Sequence, residues 1–361
     1  MTDRQRFLRY MNYESVDRPP LHLTGPWGDT LERWYREGLP RDVNYNEYLG
    51  LAVKPIAINN VSGQTALWPW FEEETLGEEG DFRIFRDRSG RTVRDFKDHT
   101  SMPEWLEFPV KGRADLQRLL DERFDLSDMD SRFGAAWEEK TRAAAEGEGV
   151  VLIDGGCYYW NLRSLAGVAG ASYLFYDAYD LVDELFERIN LVCLEGIRRA
   201  SALVQLEAIG FGEDLAYKNG PLLSPPMFRR LILPRYRKVM DLAHDKGVRM
   251  TWYDSDGDLR LLIGDYLEVG INCVAPCEVA AGMSAPELRT QWGKDLRLIG
   301  SIDKREITKG HAAIEAEIER NRPVIEDGGF LPAIDHSVPA DVSLDNYRYF
   351  LERIQAVVGV I

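Results

Sequence analysis

The segment from residue 248 to residue 258, VRMTWYDSDGD, places the strongest constraint on the fold. An apolar run with the length and composition of a buried strand stops in three carboxylates, Asp254, Asp256 and Asp258, around Gly257. A buried strand whose end carries ionisable side chains is typical of a ligand-binding edge in an α/β sheet. The segment therefore predicts both a strand and a functional site at its carboxyl end.

The same pattern recurs along the second half of the chain. Other apolar runs of strand length end in acidic residues or histidine, namely Asp154, Glu213 with Asp214, Glu278, Asp303, and Asp335 with His336. Helical periodicity fills most of the stretches between these runs, and strands that alternate with helices predict a parallel sheet covered by helices. With residues 19–25, PPLHLTG, as an opening strand, the count approaches eight. We therefore predict an α/β fold of the (β/α)8 TIM-barrel type, with the acidic strand ends together on one rim.

The alternation of strand and helix blurs between residues 26 and 150. Within this part, FRIFRDRSGRTVRDFK at residues 82–97 predicts a β-hairpin that turns at Ser89 and Gly90. A barrel of this type commonly occupies about 250 to 400 residues. We therefore interpret residues 1–361 as a single domain with the hairpin as an insertion in its N-terminal third.

Composition and charge exclude several classes of partner. The formal net charge is −16 and the pI is about 4.9, so neither nucleic acid nor an anionic membrane surface is an expected partner. No apolar run approaches the ~20 residues that span a bilayer, and the amino terminus lacks the apolar core of a signal peptide. Four cysteines in 361 residues do not form a disulfide framework. These features predict a cytoplasmic location.

Four motifs together resemble the uroporphyrinogen decarboxylase superfamily. They are DLAYKNGPLLSPPMFRRLILPRYRKV at 214–239, the Asp-Ser-Asp-Gly strand end, IGSIDKREI at 299–307 and GGFLPAIDHSVPADVSLDNY at 328–347. The branch they resemble most includes corrinoid-dependent methyltransferases of the methylcobalamin:coenzyme M type. The resemblance implies a TIM barrel that transfers a methyl group between a small molecule and a corrinoid. No cobalamin-binding module is visible, so a partner protein would carry the corrinoid.

The resemblance also implies a metal site. Methyltransferases of this branch hold zinc with a His-x-Cys pair and a distant cysteine, and those positions correspond here to Asp254, Asp256 and His336. All three differ in type from the family's ligands. From the residues alone, two carboxylates and an imidazole at strand ends form an oxygen-rich set that can hold zinc, iron or manganese. The alternative is that Asp254 caps the following helix.

Further candidates follow other strands. Glu213, Asp214 and Lys218 lie after one strand, where an acid can act as a general base and a lysine can hold an anion. A salt-bridged loop explains these three residues equally well. Glu278, at another strand end, is the fourth catalytic candidate.

The predicted substrate-binding residues surround the same rim. They are His22, Tyr159, Trp160, Arg163 and Asp303. Core packing of the aromatic residues is the alternative for that group, and a helix-start aspartate is the alternative for Asp303.

Three functions remain open from the sequence. The leading hypothesis is metal-assisted methyl transfer between a small molecule and a partner-bound corrinoid. The second is a decarboxylase or lyase that acts on a small carboxylated substrate other than uroporphyrinogen, with Asp254, Asp256 and Lys218 in proton transfer. Uroporphyrinogen itself is not expected because HLTGPWGDTLERW replaces the arginine-rich segment of the true decarboxylase. The third is a non-catalytic barrel that binds a small molecule.

Overall fold

A computed structural model describes residues 1–99 and 101–360 of the chain. The strands, numbered along the chain, are β1 Ile58–Asn60, β2 Glu74–Glu79, β3 Phe82–Arg86, β4 Thr92–Phe96, β5 Glu104–Glu107, β6 Val150–Asp154, β7 Ala208–Gly212, β8 Ala216–Tyr217, β9 Gly220–Pro221, β10 Met250–Asp254, β11 Cys273–Cys277, β12 Arg297–Ile302 and β13 Phe330–Ile334. The α-helices are α1 Asp3–Met11, α2 Gly28–Arg36, α3 Tyr45–Tyr48, α4 Arg113–Arg123, α5 Ala135–Glu146, α6 Tyr158–Asp177, α7 Tyr179–Leu203, α8 Pro225–Leu231, α9 Leu233–Asp245, α10 Ile263–Glu268, α11 Ala285–Trp292, α12 Lys304–Ile307, α13 His311–Asp327 and α14 Leu344–Val357.

Seven strands form one curled parallel sheet in the order β1-β6-β7-β10-β11-β12-β13. Helices connect most of these strands, which gives the α/β fold that the alternating pattern predicts. β13 is buried along its whole length, as expected for a strand covered on both faces. The arrangement is consistent with a TIM-like barrel.

The segment at residues 19–25 does not form the predicted opening strand. Its backbone makes one hydrogen bond beside each edge strand. Leu21 O accepts from Ile56 N at 2.8 Å, and Gly25 O accepts from Val338 N at 3.0 Å. Pro26 pairs with Val338 only in an isolated bridge. Two prolines at the start of the segment lack amide donors, which works against a regular ladder.

The predicted hairpin is the centre of a larger antiparallel sheet. β3 pairs with β4 from Phe82–Phe96 to Arg86–Thr92, and the order of the sheet is β2-β3-β4-β5. At the turn, the Asp87 carboxylate accepts from the backbone N–H groups of Ser89 and Arg91, both at 2.9 Å. Gly90 follows with φ of 82°, a conformation that favours glycine.

Helix α1 lies beneath the sheet and belongs to the core. Phe7 is fully buried, and its ring stacks against Trp252 of β10 with 6.4 Å between the centroids. Tyr10 donates to Ile325 O at 2.6 Å. Among the described residues, no helix is both long and apolar enough to cross a bilayer, and all four cysteines are free.

Candidate functional site

The structure brings Asp256 and His336 together at the carboxyl ends of the parallel strands. Asp256 follows β10 and His336 follows β13, and Asp256 Oδ2 lies 3.5 Å from His336 Nε2. Both residues line a cavity of about 170 Å³, together with Asp254, Trp252 and His22. We call this the mouth cavity. The convergence that the sequence predicts for residues 254, 256 and 336 is therefore present.

A second and mostly apolar cavity adjoins the mouth cavity. It has a volume of about 340 Å³ and shares Trp252 and Asp254 with its neighbour. Ile58, Leu152 and Phe211 supply much of its apolar wall. A ligand at Asp254 therefore meets acidic groups on one side and hydrocarbon on the other.

Trp252 and His22 lie next to each other in the mouth cavity. Trp252 precedes Asp254 by two residues, so strand pleating directs both side chains to the same side of β10. His22 meets Trp252 edge-on at 5.5 Å between the ring centroids. Within residues 1–99 and 101–360, the His22 ring makes no hydrogen bond or ion pair, and burial lowers its pKa to about 4. His22 is therefore neutral at pH 7 and can accept a hydrogen bond from a ligand.

The two aspartates of the site differ in protonation. Asp254 is exposed to solvent at the mouth, but protein surrounds its other sides. The resulting loss of solvation, together with the negative charges of Asp214 and Asp256, raises its pKa to about 7. Burial opposes ionisation of Asp256 as well, but contact with His336 and the nearby Lys304 keep its pKa below the usual value. The same contact with Asp256 raises the pKa of His336, and the Trp27 ring stacks against His336 at 6.0 Å. Asp256 and His336 thus form an ion pair beside an Asp254 that is partly protonated at neutral pH.

Nearby cations are already engaged by other groups. Lys304 Nζ contacts Glu278 Oε1 at 2.8 Å, and Glu278 Oε2 accepts from Gly257 N at 3.0 Å. Arg163 donates to the backbone oxygen of Asp214 at 2.8 Å and lies 3.5 Å from the carboxylate of that residue. Glu278 and Asp214, both predicted to be catalytic, therefore hold Lys304 and Arg163 beside the mouth.

Glu213 anchors a helix. It is fully buried, and its carboxylate accepts from Tyr158 N at 2.7 Å, Trp160 N at 3.0 Å and Tyr236 Oη at 2.7 Å. Burial raises the pKa of Glu213 to about 7 against the effect of these donors. Because its oxygens hold the amino terminus of α6, the contacts favour a structural role over the predicted proton transfer.

Three predicted residues lie away from the mouth cavity. Lys218 is exposed at the turn between β8 and β9, and it forms no ion pair with any described residue. Tyr159 is 1% exposed and stacks against Phe175, as a core residue does. Asp303 is buried, pairs with Arg305 at 2.7 Å and caps α12 by accepting from Arg305 N. For Tyr159 and Asp303 the structure thus favours the packing and helix-start alternatives.

Trp160 and Arg163 line a separate cavity of about 80 Å³. The Arg163 guanidinium lies 5.0 Å from the centre of the Trp160 ring. Arg91 and Trp105, which come from the antiparallel sheet, complete the wall. These two predicted substrate-binding residues therefore lie beside the mouth and not within its cavity.

The predicted metal ligands do not form a complete coordination set. Residues 1–99 and 101–360 contain no group of three or more His, Cys, Asp or Glu side chains placed to hold a metal ion. Cys277, on the neighbouring strand β11, is fully buried and cannot supply a thiolate to the mouth. Asp254, Asp256 and His336 line the same cavity, but their placement is not that of the three protein ligands of a catalytic zinc site.

Sequence reasoning overlooked Trp252 and the role of Asp335. Trp252 belongs to the segment that indicates the site, and its position two residues before Asp254 predicts that the two side chains share one face of the strand. Asp335 is fully buried and accepts from Val279 N at 2.9 Å and Lys304 N at 3.0 Å. Those contacts join the ends of three strands, and no local pattern in the sequence indicates them.

The sequence matches a known protein family, and the fold is similar to solved structures. The family model for Uroporphyrinogen decarboxylase (URO-D) matches residues 163–357. The structure is similar to a methyltransferase from Methanosarcina mazei, with 16% identity, 98% of each chain covered and a TM-score of 0.59. It also matches a B12-independent methionine synthase from Shewanella sp. W3-18-1 in complex with selenomethionine, with 11% identity, coverage of 94% and 97%, and a TM-score of 0.39. No curated protein sequence matches the chain.

Proposed function

The chain belongs to the uroporphyrinogen decarboxylase family, and we propose that it is an enzyme that transfers a methyl group from a small molecule to a corrinoid carried by a partner protein. The observation that supports this proposal is the mouth cavity, where Asp254, Asp256 and His336 meet while the adjacent cations are already paired. A site of this kind favours positive charge on the ligand.

Positive charge is what methyl transfer from oxygen or nitrogen requires. The departing atom leaves readily when it carries a proton or a permanent positive charge, because it then departs as a neutral molecule. In its protonated form Asp254 can donate a proton to that atom, and in its ionised form it can stabilise a cationic donor. The Asp256–His336 pair can fix the orientation of the donor beside Asp254.

In this proposal the methyl donor and the corrinoid occupy different places. The mouth cavity has a volume of about 170 Å³, which suits a small methyl donor. In this proposal the corrinoid is the methyl acceptor and covers the mouth from outside, on its own carrier protein. Asp254 and Trp252 would then present the methyl group outward.

A metal at Asp254, Asp256 and His336 remains a prediction from the sequence. Among the described residues these three side chains are not placed to hold one ion together, so we assign no step of the reaction to a metal. In this proposal the aspartates donate the proton and stabilise the charge.

Decarboxylation or lyase chemistry on a small carboxylated substrate is the second candidate, since the family itself favours it. Such a substrate needs a cation for its carboxylate, whereas Lys304 and Arg163 already have partners. The third candidate is a barrel that binds a small molecule without catalysis.

The test is incubation with a reduced corrinoid and a panel of methyl ethers, methylamines and methyl sulfides. We expect the absorbance of methylcobalt to appear with wild-type protein and to be lost in Asp254→Asn. Release of carbon dioxide from a carboxylated substrate without a corrinoid would support the second candidate. Binding without either product would support the third.

A further inference from the structure

We propose that the mouth cavity is a binding site for a small methylated ammonium ion that carries at least one N–H group. Its use as the methyl donor rests on the proposed function, whereas its binding does not. The argument depends on the polar side chains, aromatic rings and paired cations around the cavity.

Two of the polar side chains that remain available, Asp254 and His22, can accept hydrogen bonds, and the Ser337 hydroxyl can donate or accept. Asp254 forms no ion pair with any described residue, and His22 has neither a hydrogen-bond partner nor an ion-pair partner there. A neutral imidazole offers one ring nitrogen as an acceptor. A ligand that satisfies both residues must carry positive charge and donate a hydrogen bond, as a protonated amine does.

The aromatic groups fit the methyl groups of such a ligand. Trp252 lines both the mouth cavity and its apolar neighbour, and Phe211 lines the latter. The face of an indole ring attracts alkylammonium groups, an effect worth about 0.5–2 kcal/mol according to exposure. The N–H group would therefore point to His22 and Asp254, and the methyl groups would contact hydrocarbon and ring surfaces.

Anionic ligands are disfavoured at the same place. A carboxylate there would meet Asp254 without a free cation, because Asp256 holds His336, Glu278 holds Lys304 and Asp214 holds Arg163. The net charge of −16 adds a general attraction for cations.

The experiment compares three ligands of similar shape by titration calorimetry, with no corrinoid present. They are trimethylammonium chloride, the neutral tert-butanol and the anion pivalate. We expect trimethylammonium to bind at least about tenfold more tightly than tert-butanol and pivalate to give no signal. Equal binding of all three, or stronger binding of pivalate, would overturn the proposal.

Variants test the assigned contacts. Asp254→Asn should weaken trimethylammonium binding about tenfold or more, while the matched change Asp241→Asn, on the exposed surface of α9, should leave it unchanged. His22→Phe keeps a ring but removes the acceptor, so it should weaken trimethylammonium more than tetramethylammonium. Unaltered affinity in Asp254→Asn protein that unfolds at the wild-type temperature would contradict the assignment.

The results separate this inference from the proposed function. If the cation does not bind but a methyl ether yields methylcobalt, the ligand class is wrong and methyl transfer stands. If the cation binds as expected but no donor in the panel yields methylcobalt, the binding site stands and methyl transfer is wrong.

Discussion

Trp252 and Asp254 lie two residues apart on β10, and both line the mouth cavity and its apolar neighbour. One strand thus supplies the ring and the carboxylate that any ligand at the mouth must contact. Their shared direction follows from strand pleating alone.

Asp254→Asn is expected to reduce the rate of methyl transfer by about 10²–10⁴-fold, the usual contribution of a general acid. Asparagine keeps the shape of the side chain but can neither donate a carboxylic proton nor carry negative charge. Initial rates of methylcobalt formation measure the effect, with Asp241→Asn as the control. A rate within twofold of wild type would exclude Asp254 from the reaction.

The contributions of Asp254 and Glu213 to the free energy of unfolding are expected to fall as the pH rises from about 4 to about 7. The folded state raises the pKa of Asp254 from 3.8 to about 7 and that of Glu213 from 4.5 to about 7. At these two groups the folded protein therefore binds more protons than the unfolded chain, so raising the pH favours unfolding through them. His22, whose pKa burial lowers to about 4, acts in the opposite direction. Urea unfolding at several pH values measures this slope, which Asp254→Asn should make shallower. A slope that is unchanged in the variant would contradict the raised pKa.

Glu213→Ala is expected to destabilise the protein by about 3–5 kcal/mol, since it leaves buried donors without partners. Two backbone N–H groups at the start of α6 and the hydroxyl of Tyr236 lose their acceptor. Tyr236→Phe removes only one of these bonds and should have a smaller effect, about 1 kcal/mol. Denaturant unfolding at pH 8 compares the two variants. If Glu213→Ala keeps wild-type stability but loses activity, Glu213 is catalytic as the sequence predicts.

Metal analysis tests the predicted metal site. Because the described residues present no group of three ligands, we expect less than one equivalent of zinc, iron or manganese after repletion and gel filtration. One equivalent that disappears in both Asp254→Ala and His336→Ala, and remains in Asp241→Ala, would establish the site that the sequence predicts.

Much of the fold was predictable because buried parallel strands leave a local signal. The apolar runs that end at Asp154, Asp254 and Ile334 are strands of one sheet. Parallel order then brings their carboxyl ends together, which is why Asp256 and His336 could be expected to meet.

Other features depend on contacts that no local pattern contains. β2, with the sequence ETLGEE, has little β-propensity and forms only because β3 offers it a partner. Glu213 resembles any acid at a strand end, and its structural role is apparent only when the start of α6 lies against it. The opening segment does not form a strand, because its two prolines lack amide donors and its backbone meets each edge of the sheet at few points.

The stacking of Phe7 against Trp252 connects the amino-terminal helix to a residue that lines the mouth cavity. Removal of the residues from the amino terminus through Phe7 would leave the Trp252 ring without this contact, although the removed residues do not line the mouth cavity.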